Sequence, residues 1–314
     1  MRMKSLGRSG LKVSVVGLGC NNFGMKIDQA ETDRVVAKAL DLGVTLFDTA
    51  DAYGNKGGSE TMLGKALGTR RKDIVLATKF GLPMGEGDYM KGGSRRYIVN
   101  AVEASLKRLG TDYIDLYQLH FPDPETPIEE TLAALDDLVR SGKVRYIGSS
   151  NLAGWQFVEA AFLARENRLA PFVSAQNHYN LLDRKIEHEL VPAVKKYGGS
   201  ILPYFPLASG MLTGKYKRGL DLPNDGRLTQ WGERGKALLS DANFEMVEQV
   251  AAFAEKRGKT VLDAAIGWLA SQPHVASVIA GATKPEQVEA NVTAGTWEMN
   301  AEELDEMNRI TFRF

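Results

Sequence analysis

One pattern governs what this chain can become. Short apolar strands alternate with longer segments whose apolar residues recur every three or four positions. The strands read as "VVGLG" (15–19), "TLFD" (45–48), "IVLATK" (74–79), "IDLYQLH" (114–120), "VRYIGSS" (144–150), "FVSAQN" (172–177), "SILPYF" (200–205) and "VASVIAG" (275–281). Helices are expected over 29–42, 95–109, 128–141, 154–167 and 261–271, with Ser59 and Thr126-Pro127 as helix-start signals. Eight strands, most followed by a helix, predict an α/β fold: a parallel (β/α)8 TIM barrel. The opening "MKSLGRSGLKVS" reads as an added N-terminal β-hairpin turning near Gly10. At 314 residues, with no Pro/Ser-rich linker or shift in composition, the expectation is a single domain over 1–314. The rival doubly wound dinucleotide-binding sheet fails on spacing, because in "GLGCNNFG" the third glycine of its fingerprint would fall at Asn22.

Charge excludes some functions. Basic and acidic residues number 39 each, so no global positive field exists to hold nucleic acid or an anionic membrane. No run approaches the ~18 apolar residues of a membrane helix. The N-terminal stretch up to Cys20 loosely mimics an export signal, but its apolar run is short and broken by glycine. The single cysteine cannot form an internal disulfide and fits a reducing compartment, so a cytoplasmic location is expected.

The chemistry gathers at strand ends, where a barrel carries its active site. In "FDTADAYG" the second strand delivers Asp48 and, just beyond, Tyr53; the third delivers Lys79 and the fourth His120. Strands five and six end in Ser149-Ser150-Asn151 and Gln176-Asn177. Each alone fits an ion pair or a satisfied core group; their convergence on one face favours a site. An ammonium near a phenol favours phenolate and lowers its pKa, and a carboxylate beside the ammonium keeps it charged. A histidine alongside could orient a carbonyl or relay a proton. Such a set suits carbonyl reduction. The four histidines, at 120, 178, 188 and 274, show no zinc-like spacing, and no metal is expected.

Along nearly its whole length the chain resembles the aldo-keto reductase family, through "SLGRSGLKVSVVGLG", "FDTADAYG", "ATKFG", "DYIDLYQLH", "GKVRYIGSSN", "QNHYNLL", "YFPLASGMLTGKY" and "GATKPEQVEANV". The resemblance implies reduction of a small carbonyl substrate by NADPH, giving NADP+, with Tyr53 as general acid, Lys79 and Asp48 tuning it and His120 positioning the carbonyl. It assigns Asp51 no role; that residue reads as a turn or cap. Implied cofactor contacts are Gly19, Cys20, Asn21 and Asp48 at the first strands, Ser150, Asn151 and Gln176 at the carboxamide, and Tyr204 stacked on the nicotinamide. Pro206, Leu207, Ser209 and Gly210 would lie under the pyrophosphate through exposed backbone N–H groups, with Arg227 as a clasp. Gly281, Thr283, Lys284, Gln287 and Asn291 would meet the adenosine end, Lys284 being the cation for a 2′-phosphate and Gln287 and Asn291 facing adenine. One common family version has a lysine at Gly281 and an arginine at Gln287.

Substrate choice is expected in loop 80–94 and in Asn21, Asn22, Phe23, Tyr89, Phe121 and Trp231. The chain ends shortly after helix 301–310, so an open pocket and a small or loosely selected aldehyde are expected. Two alternatives stay open: a cofactor-sensing NADP-binding subunit with little catalysis, and a barrel enzyme using Lys79 as a Schiff-base nucleophile. Oligomeric state is not legible.

Overall fold

Eight parallel strands line up in chain order: Val16–Gly19 (β3), Leu46–Asp48 (β4), Val75–Phe80 (β5), Ile114–Leu119 (β6), Val144–Ser150 (β7), Phe172–His178 (β8), Ser200–Tyr204 (β9) and Val278–Gly281 (β10). They are preceded by an antiparallel hairpin, Met3–Ser5 (β1) and Lys12–Ser14 (β2). The computed structural model describes residues 1–87, 89–222 and 227–312. β10 pairs with β3, matching Gly281 to Gly19, and the other edge closes through a parallel bridge between Ile201 and Val275. Ile201 N–H donates to His274 O at 2.7 Å, and Ala276 N–H donates to Ile201 O at 3.1 Å. Residues 275–277, expected as the start of the last strand, serve this closure instead. The fold is the expected (β/α)8 TIM barrel with an N-terminal hairpin.

Helices cover the outside, including 29–41, 95–109, 128–140, 154–166 and 261–271. Their ends obey local chemistry: Asp28 and Ser94 accept N–H bonds from the first turns, and Thr260 with Asp263 forms a capping box. Ser59 does not cap. Its hydroxyl is fully buried, donates to Cys20 O at 2.7 Å and meets Thr49 Oγ1 at 2.8 Å, so tertiary partners displace the cap geometry. The segment before it, Gly54 to Gly57, takes positive φ throughout and forms a tight turn directly after Tyr53.

Strand parity sorts the side chains. Leu46, Val75, Ala77, Leu116, Leu202, Ala276 and Ile279 form a buried cluster inside the barrel, joined by Leu6 and Val13 of the hairpin region. Alternate residues, among them Phe47, Leu76 and Tyr117, belong to the larger core beneath the helices. The hairpin therefore plugs the N-terminal end of the barrel. Gly7 N–H donates to Ser200 Oγ at 2.8 Å, and Lys4 Nζ donates to the carbonyls of Ala270, Gln272 and Val275 at 2.7 to 2.9 Å.

Candidate active site

The parity that places Leu46, Ala77 and Leu116 inside the barrel carries Asp48, Lys79, Gln118 and His120 to the same interior, two or four residues nearer the mouth. Lys79 is fully buried; its Nζ lies 2.6 Å from Asp48 Oδ2 and donates to Thr49 O at 2.9 Å. The other carboxylate oxygen of Asp48 accepts from Gln176 Nε2 at 2.9 Å and Gln118 Nε2 at 3.1 Å. Asp48 is thus engaged by three donors. Tyr53 stands over this pair with its ring centroid 5.1 Å from Lys79 Nζ, and His120 meets the tyrosine edge-on at 5.6 Å between centroids. The structure brings all four residues together.

Their electrostatics follow from burial and charge. Burial alone would lower the Lys79 pKa, but the Asp48 charge and the contact with Tyr53 hold it above its ordinary value. His120 is driven down to about 3, first by burial and then by the Lys79 charge, and is a neutral imidazole. Tyr53 departs from expectation. Burial raises its pKa above the usual 10.0, and the opposing pull of Lys79 is insufficient. The phenol therefore keeps its proton, which suits an acid.

A cleft of about 1230 Å³ runs from this centre across the mouth. Gly19, Cys20, Asn21, Ser150, Asn151, Gln176, Tyr204, Pro206, Leu207, Ser209, Gly210, Gly281, Thr283, Lys284, Gln287 and Asn291 all line it. Ser150 donates to Gln176 O at 2.9 Å, and Asn151, with φ of 62°, donates to His120 O and Ser150 Oγ, both at 2.9 Å. Tyr204 O–H donates to Asn151 Oδ1 at 2.7 Å and its ring stacks on His178 at 5.7 Å. Ala208, Ser209 and Gly210 form a left-handed turn, but the N–H groups of Ala208 and Gly210 are engaged by Phe205 O and Leu207 O. Those two donors are thus not exposed as expected. Gln287 turns toward the backbone, its Oε1 accepting from Thr283 N–H at 2.8 Å. The side chain of Arg227 lies outside the described residues.

Among the expected substrate residues, Asn21, Asn22 and Phe121 line the cleft, Phe121 stacked on His120 at 5.4 Å. Phe23 does not: it is fully buried in the outer core. Tyr89 is exposed beneath the Arg96 guanidinium, 3.9 Å from it. Gln118, Lys26, Arg34 and Lys215 were not anticipated. Gln118 shares the parity of His120, and Lys215 follows the 206–210 loop within a few residues. Lys26 and Arg34 line the cleft with Lys284 because β3 and β10 are neighbours in the closed barrel.

A sequence model described as the Aldo/keto reductase family matches residues 15–311. This chain belongs to that family. A probable voltage-gated potassium channel subunit beta of Oryza sativa subsp. japonica is 39% identical over 301 residues, covering 94% of this chain and 91% of the relative. The L-glyceraldehyde 3-phosphate reductase of Escherichia coli (strain K12) is 36% identical over 306 residues, covering 94% and 87%. The versiconal hemiacetal acetate reductase of Aspergillus parasiticus is 34% identical over 335 residues, covering 97% and 95%. Family and reductase relatives support an oxidoreductase acting on carbonyl compounds. Among the described residues of this aldo-keto reductase, no helix is long and apolar enough to cross a membrane.

Proposed function

We propose that the protein reduces small aldehydes or ketones to alcohols with NADPH, Tyr53 acting as the acid. The observation carrying this reading is the buried Asp48–Lys79 pair, 2.6 Å apart, with a protonated phenol against its ammonium at the inner end of the cleft. The cleft fits the cofactor in size, exceeding the roughly 300–1,000 Å³ of ordinary ligand pockets. It fits in chemistry as well: Ser150, Asn151 and Gln176 offer amide and hydroxyl partners for a carboxamide, and Lys26, Lys215 and Lys284 offer cations for phosphates.

Ser150, Asn151, Gln176 and Lys284 would hold NADPH, which when bound would supply the hydride for the carbonyl carbon and end as NADP+. Tyr53 gives its proton to the carbonyl oxygen, completing the alcohol, and recovers one from solvent. Lys79, kept charged by Asp48, stabilises the phenolate as it forms. His120, being neutral, offers an N–H to the carbonyl oxygen without adding a charge to the site. Lys79 does not suit Schiff-base chemistry, because its amine is protonated and committed to Asp48 and Thr49. The buried cysteine and balanced charge accord with a cytoplasmic enzyme.

The test is loss of NADPH absorbance with 4-nitrobenzaldehyde. Wild type should turn over, and Tyr53→Phe should lose at least roughly 100-fold in kcat while still binding NADPH. Equal turnover by the variant overturns the reading. A second reading, a cofactor-sensing subunit, is favoured by the potassium channel subunit beta among the relatives; tight NADPH binding with no aldehyde turnover would select it.

A further inference from the structure

Behind the catalytic pair lies a second ionisable group that the reaction above does not use. Asp51 lies in the turn that follows β4, where it is fully buried against Tyr97 of helix 95–109. Its N–H donates to the carbonyl of Lys79 at 3.0 Å, so the turn carrying Tyr53 is tied to the strand carrying the ammonium. Its Oδ2 lies 3.2 Å from the hydroxyl of Tyr97, and its Oδ1 has no hydrogen-bond partner among the described residues. The same Tyr97 hydroxyl lies 3.3 Å from the carbonyl of Leu82, in the chain leaving β5 at the barrel mouth.

A phenol has one hydrogen and cannot donate fully to two acceptors at once. If Asp51 is ionised, Tyr97 must choose between the carboxylate and Leu82. If Asp51 is protonated, its own O–H donates to Tyr97 and Tyr97 donates to Leu82, so every hydrogen has an acceptor. The charged surroundings favour the second state. Arg108, on helix 95–109, is committed to Glu60 on helix 53–67, with Nε 2.6 Å from Oε2, and Thr78 Oγ1 donates to the other Glu60 oxygen. Lys79 on β5 is committed to Asp48. Tyr117 on β6 is buried and its hydroxyl is unpartnered, and Tyr53 follows on the same turn. Among the described residues, Asp51 therefore has a like charge near it, while on the side of its anion stand the Ala52 N–H and Arg108, itself committed to Glu60.

We propose that Asp51 is a positioning residue: in its protonated form it completes a strap, Asp51 to Tyr97 to Leu82, that holds the turn bearing Tyr53 against the mouth loop, and its ionisation releases that strap. Burial, followed by the Glu60 charge, accordingly raises the carboxyl to about 7, where it titrates near neutrality. An ionised Asp51 also opposes phenolate formation at Tyr53, so both effects slow reduction as pH rises.

The inference rests on the proposed reductase reading for its kinetic consequence but not for its structural one. In wild type, kcat/KM for the aldehyde should fall roughly 2- to 12-fold between about pH 6 and about pH 8, the range one net hydrogen bond supports. Asp51→Asn offers a permanent donor to Tyr97 and should hold the low-pH rate across this interval. Tyr97→Phe cuts the strap and should show a lowered rate already at about pH 6, leaving only the charge effect of Asp51 on Tyr53 to act as pH rises. Independently of turnover, hydrogen-exchange protection of the amides of Asp51 and Met84 should fall with rising pH in wild type and stay level in Asp51→Asn. If wild type shows no turnover, the reductase reading fails and the exchange data alone decide the strap. An Asp51→Asn protein whose exchange protection still falls as in wild type overturns it.

Discussion

Gln176 and Asp48 meet at 2.9 Å across the barrel interior, 128 residues apart in sequence, and this contact joins the cleft wall at β8 to the buried Asp48–Lys79 pair. Asp48 is consequently more than the counter-ion of Lys79. It receives the ammonium on one oxygen and two glutamine amides on the other, so one carboxylate fixes three side chains from three strands.

Removing one member of that pair should be severe. Lys79→Met strands a buried carboxylate, and the destabilisation should be roughly 3–5 kcal/mol. Chemical denaturation should show a lowered midpoint, and NADPH turnover should fall below detection. Asp48→Asn strands the buried ammonium in turn and sets an amide NH2 against the donors around it, so it should also lower the midpoint.

His120 should not titrate in the neutral range. Its folded pKa of about 3 lies below its ordinary 6.5, so the stability it contributes is present above pH 6.5 and is lost as pH falls toward 3. NMR of the imidazole Cε1–H should show no inflection between about pH 5 and about pH 8, where an unperturbed histidine titrates. His120→Gln should flatten the acid limb of the unfolding free energy.

Tyr53, with its pKa raised by burial, should make the two reaction directions differ in pH preference. Reduction uses the protonated phenol and should be favoured at the lower pH. Alcohol oxidation with NADP+ requires phenolate and should accelerate as pH rises. Initial rates in both directions over one buffer series check this.

Lys284→Ala should raise the KM for NADPH about tenfold and leave that for NADH nearly unchanged, as loss of one charge-assisted contact to a 2′-phosphate implies. The same comparison for Lys26→Ala, Arg34→Ala and Lys215→Ala sorts which cations meet that phosphate and which meet the pyrophosphate. Equal effects on both cofactors at Lys284 would sink its assignment.

At the opposite end of the barrel, Lys4→Met should cost about 1–3 kcal/mol, because three carbonyls lose one shared donor. Turnover per folded molecule should not change, since Lys4 lies at the plugged end.

The barrel and the cluster at its mouth were legible because two periodicities suffice for them. Alternation of strand and helix gives the architecture, and parity within each strand carries Asp48, Lys79 and His120 inward together. Gln118 obeys the same parity as His120, but an amide has no reactivity to mark it in a sequence. Ser59 carried the right cap chemistry, yet tertiary contacts with Cys20 and Thr49 outbid the local pattern. Phe23 sat in a strand-end loop, but nothing local says which way a loop aromatic turns. The phenol pKa is hidden for a related reason: proximity of an ammonium follows from order along the chain, whereas the depth of burial that outweighs it needs three dimensions. Lys26 and Arg34 join Lys284 only because the first and last strands are neighbours in a closed ring.

The hairpin that stoppers the barrel floor separates durability from selectivity. Leu6, Val13 and Lys4 fasten the sheet from below, while the residues that line the cleft hang from the rim above. Exchanging rim loops for those of another barrel of this kind should therefore redirect what is recognised with little change in how the framework melts, so the two properties can be engineered separately.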